Sequence, residues 1–246
     1  MGGRGGTWSL VLLFHCVLIV CAKAQEPQEP EDPADDKQFG VWLDQGISAD
    51  LTANKSLEFE FHERFDKGGT NLYEYFFQGG VGFRVRPWLL VIPSYRYQRF
   101  PGNPAGIAFE NRLLVNFTMS TVRGPWRPNF RTIIEGRFPD TRNASARLRF
   151  RPGIDYTLPL GMKRPPVAVV SNEFFIVPGT NSFLAGSEFT QDRFQAGVRV
   201  PITDSVAVRT YYMLQLVDLP SGWYGGNILG FSLTYKLRKV SAKGSP

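Results

Sequence analysis

The sequence predicts an all-β fold, namely a transmembrane antiparallel up-and-down β-barrel of about 10–12 strands. Segments of about 10 to 14 residues, rich in aromatic, Val, Ile and Thr side chains, alternate with clusters of Gly, Pro and Asn. Charged and apolar residues alternate within these segments, as from Ala146 to Arg151, so each strand has one polar and one apolar face. The segments are longer than ordinary strands and match the length of a tilted strand that crosses a membrane.

The first residues of the chain have the features of a secretory signal peptide, predicted over residues 1–24. Arg4 gives a positive start, an apolar run extends from Trp8 to Cys21, and small residues precede Gln25. A lipoprotein processed at Cys21 is an alternative, but it is disfavoured because the preceding Val20 is not small. The protein is therefore expected to leave the cytoplasm.

Three further regions follow the leader. Residues 25–38 are acidic and proline-rich, so they cannot bury enough apolar surface to fold, and we expect a disordered tether. The barrel domain is predicted over residues 39–238, and a flexible tail over residues 239–246. Both cysteines, Cys16 and Cys21, lie in the leader, so a mature chain without disulfides needs another source of stability. A closed, hydrogen-bonded sheet would provide it.

The charge of the chain is positive, with 28 Lys and Arg against 22 Asp and Glu. Such a surplus could indicate nucleic-acid binding, but the secretory leader argues against that partner. We expect no nucleic acid to bind.

The region after the tether divides into eleven segments with strand-like composition. They are Val41–Leu51, Ser56–Phe65, Leu72–Val85, Trp88–Arg99, Ala108–Ser120, Asn129–Phe138, Ser145–Leu158, Val167–Val177, Glu188–Val200, Val206–Val217 and Gly226–Leu237. Bacterial single-chain barrels have even strand numbers, so we expect ten or twelve strands. Connections near residues 53, 87, 124, 165 and 204 are mostly short or marked by proline, and those near 68, 102, 140, 179 and 222 are mostly longer, with Gly and Asn. Such an asymmetry is typical of outer-membrane barrels.

The polar faces of these segments hold long charged side chains in mid-strand, and we predict that they line the interior of the barrel. The interior candidates are Arg64, Arg96, Glu110, Arg112, Arg131, Glu135, Arg137, Arg147, Arg149, Arg151, Glu173, Arg193, Arg199 and Arg209, with Glu58 and Glu60 on the acidic side. The opposite faces hold mainly Phe, Leu, Val and Tyr, which are expected to face lipid.

A soluble barrel could show the same alternation with its apolar faces inward. The placement of aromatic residues helps to distinguish that barrel from a membrane barrel. Four tryptophans and six tyrosines lie mainly near predicted strand ends, which suits an interfacial girdle. They are Trp42, Trp88, Trp126, Trp223, Tyr73, Tyr75, Tyr95, Tyr97, Tyr156 and Tyr224. Together with the leader and the strand length, they favour a membrane barrel over a secreted soluble barrel that binds an apolar ligand.

Five short motifs occur in a characteristic order: Trp42 before an alternating strand, Glu110–Arg112, Arg147–Arg151, Asn172–Phe175 and Gly230–Tyr235. In this order they resemble DUF2490, a family of bacterial outer-membrane β-barrel proteins with a domain of unknown function. The resemblance covers roughly residues 39–237. It implies a barrel in the bacterial outer membrane, and it implies no activity and no catalytic residues. One departure concerns the end of the chain. Many outer-membrane proteins end at an aromatic residue of the last strand, whereas here residues 238–246 follow that strand.

Catalytic and metal chemistry have little support in the sequence. After the leader the chain has one histidine, His62, and no cysteine, so a conventional zinc or copper site is not expected. Glu58, Glu60 and His62 share a face, and a hard cation there is a weak alternative to an acidic stripe paired with arginine. A lipid-modifying barrel enzyme would need His62 as base, but no Gly-x-Ser-x-Gly motif is present. We predict no enzyme and no cofactor.

Two roles for the charged interior stay open. Arginine–carboxylate pairs could fill and brace the barrel, or the arginines could line a narrow, porin-like passive channel that prefers anions. The expected partners are outer-membrane lipids and, during insertion, the barrel assembly machinery. The oligomeric state is taken as monomeric by default.

Overall fold

Eleven β-strands account for most of the chain in the computed structural model, which describes residues 39–102, 106–178, 188–219 and 222–237. The strands are β1 (Phe39–Asp50), β2 (Lys55–Asp66), β3 (Asn71–Arg86), β4 (Leu89–Arg99), β5 (Phe109–Ser120), β6 (Trp126–Pro139), β7 (Ser145–Thr157), β8 (Val167–Val177), β9 (Glu188–Pro201), β10 (Val206–Leu219) and β11 (Gly222–Leu237). All eleven predicted segments correspond to strands, with ends displaced by a few residues. The predicted all-β barrel is confirmed.

The strands form one closed barrel in which sequential neighbours are antiparallel. The closing pair is parallel: β1 runs alongside β11 from Phe39↔Asn227 to Ala49↔Leu237. The expectation of an even strand number was wrong. In an up-and-down barrel with an odd number of strands, the first and last strands point the same way, so they can close the sheet only as a parallel pair.

The two rims of the barrel are distinguished by the chain ends. We call the rim where β1 begins the N-terminal rim, and the rim where β11 ends the C-terminal rim. Connections of four, two, five, nine and four residues lie at the C-terminal rim, and connections of four, nine, five, ten and two at the N-terminal rim. The predicted contrast between short turns and long loops is therefore weak, because the nine-residue connection 158–166 lies on the side that was expected to be short.

Alternation along the strands gives the barrel an apolar outer face and a largely polar interior. Outward-pointing Leu113, Phe59 and Phe77 have relative exposures of 58%, 54% and 52%. Arginine and glutamate side chains alternate with them and are buried or half-buried inside. Within the described ranges, none of the helical structure is long and apolar enough for a membrane span. The predicted signal peptide, the tether and the tail at 239–246 lie outside the described residues.

Exposed tryptophans mark both rims, as the sequence predicts, with two exceptions to the aromatic girdle. Trp88 and Trp126 are half exposed near the C-terminal rim, and Trp223 is half exposed near the N-terminal rim. Trp42, however, is buried and donates a hydrogen bond from its Nε1 to the Tyr73 hydroxyl at 3.2 Å. These two side chains belong to the interior and not to the girdle, because Trp42 shares the parity of inward Asp44 in β1.

Candidate functional site

The interior of the barrel is the candidate site, and the structure places all fourteen predicted interior residues on inward-facing strand positions. Nine of them line a single cavity: Arg64, Arg96, Arg131, Arg149, Arg151, Glu173, Arg193, Arg199 and Arg209. The other five, Glu110, Arg112, Glu135, Arg137 and Arg147, lie nearer the N-terminal rim and pair with one another or with Arg149. The predicted set is therefore divided between residues that line the cavity and residues that pair nearer the N-terminal rim.

A continuous chain of ion pairs crosses strands β6, β7 and β8. Glu135 has no exposed surface and accepts hydrogen bonds from Arg147 Nε at 2.8 Å and from Arg149 Nη1 at 2.7 Å. Arg149 also donates from Nη2 to Glu173 Oε1 at 2.8 Å, and Arg131 reaches the same oxygen at 3.2 Å. Three inward strands are thereby tied together by charge-assisted hydrogen bonds, which are the strong kind.

Two smaller groups of ion pairs lie beside this chain. Glu110 on β5 accepts from Arg112 Nε and from Arg137 Nε, both at 2.7 Å. Arg64 on β2 donates to Glu74 Oε1 on β3 at 2.5 Å. Each carboxylate sits on the strand next to its arginine or on the same strand, so the pairs follow from register and inward parity. Their effect is to brace neighbouring strands.

Three buried aromatic rings fill the middle of the interior, and arginines lie over them. Phe76 and Phe175 have relative exposures of 1% and 0%, and Trp42 has 6%. Arg193 of β9 lies 4.9 Å from the ring centroid of Trp42 on β1 and 4.6 Å from that of Phe175 on β8. We call Trp42, Phe76, Phe175 and the guanidiniums over them, Arg64, Arg96, Arg149 and Arg193, the mid-barrel layer.

Sequence reasoning missed these rings, although a signal was available. Phe76 shares its parity with Glu74 in β3, and Phe175 shares its parity with Glu173 in β8. Aromatic residues flank both positions, so alternation alone does not separate the inner from the outer ring. The inward polar neighbours two residues away identify the correct face.

Between the mid-barrel layer and the C-terminal rim lies a cavity of about 300 Å³. It extends to Ala207 and Thr234, close to the C-terminal-rim ends of β10 and β11. Glu74, Glu135 and Phe175, which lie deeper in the interior, do not line it. Eight arginines and one histidine line the cavity against three carboxylates, Asp44, Glu60 and Glu173. An arrangement with this balance can attract anions.

His62 lies in the cavity wall with carboxylates on both ring nitrogens. Its Nδ1 is 2.6 Å from Asp44 Oδ1 and its Nε2 is 3.2 Å from Glu60 Oε2. Its ring stacks on Phe76 at 4.2 Å between centroids. A base for a serine nucleophile needs one ring nitrogen facing the hydroxyl. Among the described residues, no serine hydroxyl bonds to His62, and no group of three His, Cys, Asp or Glu side chains could hold a metal ion.

Tyr211 connects this wall to the closing strands. It pairs with Gly230 across β10 and β11, and its ring lies over that glycine to reach β1. Its hydroxyl donates to Asp44 Oδ2 at 2.8 Å. The absence of a side chain at Gly230 leaves room for the ring, an arrangement in which an aromatic residue covers a strand glycine. A hydrogen bond therefore spans the parallel seam of β1 and β11 from inside.

The sequence model of a family described as "Protein of unknown function (DUF2490)" matches residues 39–225, from the first residue of β1 into β11. No curated protein matches the chain.

Proposed function

Because this chain belongs to the DUF2490 family, whose description states no function, we propose its role from the barrel itself: an outer-membrane β-barrel with a closed interior. In this proposal the protein spans the bacterial outer membrane as a structural barrel and does not conduct solutes constitutively. Lipids contact its outer face, and the barrel assembly machinery inserts it. A monomer is sufficient for this role.

The membrane part of the proposal is supported by the two faces of the wall. Apolar side chains point outward around the barrel, and exposed Trp88, Trp126 and Trp223 lie near its rims. Apolar outer bands flanked by aromatic residues are the pattern of membrane barrels. A soluble barrel that holds an apolar ligand would need the apolar face inside, whereas this interior carries buried Glu110 and Glu135.

The observation that carries the closed interior is the burial of Phe175 and Glu135. Neither side chain has any exposed surface, although both point into the barrel. A solvent-filled pore through the barrel would leave inward side chains at this level exposed to water. The mid-barrel layer and the ion pairs of Glu135 therefore favour a barrel that is filled and braced at its middle.

Planar-bilayer recording tests the closed interior. We expect the purified wild-type protein to give no steady conductance. The double variant Phe76→Ala/Phe175→Ala removes two rings of the mid-barrel layer and is expected to conduct with anion preference, because arginines line the remaining passage. The matched control, Phe59→Ala/Phe194→Ala, removes two outward phenyl rings and is expected to stay silent. Steady wild-type conductance would contradict the proposal.

Cell fractionation tests the location separately. The protein should be recovered with outer membranes and should migrate differently on a gel before and after boiling. Recovery in the soluble fraction, with the same migration boiled and unboiled, would overturn the membrane barrel.

A narrow anion channel is the second candidate function. The arginine excess in the cavity wall favours it, since rings of cationic side chains select anions. It requires that the mid-barrel layer opens. Wild-type conductance that appears only under an applied stimulus, with anion preference, would support this candidate over the purely structural one.

A further inference from the structure

We propose that the cavity between the mid-barrel layer and the C-terminal rim binds a compact ligand with two or more oxyanion groups, phosphates or carboxylates. Arg151 and Arg209 are its principal anchors, and Arg96 and Arg193 assist them. The inference does not depend on the membrane location of the barrel, and it adds a ligand to the closed barrel proposed above.

The first argument is that the carboxylates of the cavity are already engaged. Asp44 contacts His62 and accepts from Tyr211, and Glu60 contacts the other nitrogen of His62. Glu173 accepts from Arg131 and Arg149. The remaining positive charge of the wall is therefore not balanced by these three groups.

The second argument is that four arginines of the wall form no direct ion pair with a carboxylate among the described residues. Arg96 donates to the neutral amide oxygen of Gln78 at 2.7 and 3.0 Å, and Arg193 to that of Gln215 at 2.9 Å. In the described part of the chain, Arg151 and Arg209 donate no hydrogen bond, and Arg209 lies over the Tyr211 ring at 4.5 Å.

The third argument comes from buried donors that have no acceptor. Arg151 Nε and Arg131 Nε are buried without a hydrogen-bond partner, and so is the hydroxyl of Ser94 in the same wall. A buried polar group without a partner costs stability, and an unpaired buried charge costs more. An anion that enters the cavity would offset that cost by accepting these hydrogen bonds.

The register places the cations in adjacent pairs. Arg131 lies directly opposite Arg151 across β6 and β7, and Arg199 lies opposite Arg209 across β9 and β10. Directly opposed like charges repel. Arg131 contacts Glu173 and Arg199 contacts Asp155 at 3.0 Å, so the anion is expected to lie beside the other member of each pair, Arg151 or Arg209. Guanidinium groups match carboxylate and phosphate oxygens with two parallel hydrogen bonds. Because the pairs lie on different strands, a ligand with two oxyanion groups fits better than one with a single group.

The volume of the cavity and its other wall residues indicate the character of the rest of the ligand. About 300 Å³ is the lower end of the range for small-molecule sites. Neutral donors and acceptors from Asn116, Ser171, Gln195 and Thr234 also face the cavity. They suit a polar, hydroxyl-bearing body rather than an acyl chain. The oxyanion groups could belong to a free solute or to a lipid headgroup, and the two sources are separated below.

Titration calorimetry on the full mature protein in zwitterionic detergent tests the site, with inorganic pyrophosphate and citrate as probes. We expect one ligand per barrel and an affinity that falls as salt is added. Arg151→Gln/Arg209→Gln should weaken binding by about 30-fold or more, because it removes charge-assisted hydrogen bonds. The control Arg99→Gln/Arg142→Gln removes two cations near the N-terminal rim that do not line the cavity, and should leave the affinity unchanged.

Thermal unfolding gives a second readout that does not depend on calorimetry. Without ligand, Arg151→Gln/Arg209→Gln should be at least as stable as wild type, since it removes cations without partners. Pyrophosphate should raise the Tm of wild type and of the control but not that of the cavity variant.

Five outcomes decide the proposal. Failure of folded wild type to bind either probe, or equal affinity in the cavity variant, would overturn it. Preference for a short-chain phosphatidic acid with the same arginine dependence supports the site and assigns a lipid headgroup. Preference for pyrophosphate or citrate assigns a free solute. A soluble, non-membrane protein that still binds would refute the location and leave this site standing.

Discussion

Glu135 shows how strongly the interior depends on single carboxylates. It is fully buried, and it is the shared acceptor of Arg147 and Arg149. When one partner of a buried ion pair is lost, the other charge stays buried without compensation, and the cost exceeds what the intact pair contributes. The acidic residues are therefore the structural members of the interior, although arginines outnumber them.

The change Glu135→Gln is expected to lower the free energy of unfolding by about 3–5 kcal/mol, because it leaves two guanidiniums with a neutral acceptor. Urea titration measures this free energy of unfolding, with the folded fraction at each urea concentration read from the heat-modifiable migration of the barrel on a gel. The control Asp218→Asn alters an exposed carboxylate near the N-terminal rim and should stay within about 0.5 kcal/mol of wild type. A Glu135→Gln barrel as stable as the control would show that the ion pairs do not brace the wall.

Gly230 gives a second residue-level prediction, since a Cβ there would overlap the ring of Tyr211. Gly230→Ala should destabilise the barrel by about 1–3 kcal/mol, as overpacking does. Gly226→Ala, in the same strand but with open space around the new Cβ, is the control. In a Tyr211→Ala background the cost of Gly230→Ala should largely disappear, and a cost that persists would show that the ring is not its cause.

The two faces of each strand were predictable from the sequence, because alternation is a local pattern. The hydrogen-bonded neighbours of the first and last strands were not predictable in this way. The charged residues Arg131, Glu135 and Arg137 share one parity in β6, so they lie on one face, and the aromatic placement and the strand length predicted that this face is the inner one. Nothing within β1 distinguishes a parallel neighbour from an antiparallel one, so strand number and closure depended on a general rule for barrels. The inward parity of Phe76 and Phe175 could have been recognised from Glu74 and Glu173. The cavity and the packing of the mid-barrel layer could not, because they depend on which side chains meet across the interior.

Tryptophans near the strand ends provide a test of whether lipid surrounds the barrel. In single-tryptophan variants reconstituted into vesicles with brominated lipids, Trp126 fluorescence should be strongly quenched. Trp126 is exposed near the C-terminal rim and lies 4.3 Å from the Tyr156 ring between centroids. A Trp42-only variant should escape quenching, because its indole is buried inside with Tyr73. Equal, weak quenching of both would argue against a membrane around this wall.

At the scale of the whole molecule, the barrel is divided between a filled half and an open half. Ion pairs and aromatic rings occupy the interior toward the N-terminal rim, and the basic cavity occupies the part toward the C-terminal rim. Compartments on the two sides of such a barrel would therefore meet different surfaces. The cavity is expected to exchange ligand with only one of them.

The parallel seam of β1 and β11 gives the molecule a built-in sidedness. Because the strand number is odd, β1 begins at one rim with Phe39 and β11 ends at the other rim with Leu237. If the barrel spans a membrane, an affinity tag ahead of β1 and a reporter fused after β11 would lie in different compartments. Residues 22–246 contain no cysteine, so Thr70→Cys at the N-terminal rim and Ser205→Cys at the C-terminal rim can each be probed with an impermeant maleimide. Intact cells should label one of them, and labelling of the other should require permeabilisation; equal labelling in intact cells would contradict this arrangement.

The side of the membrane on which a fused protein lies would thus be set by the terminus of the barrel to which it is joined.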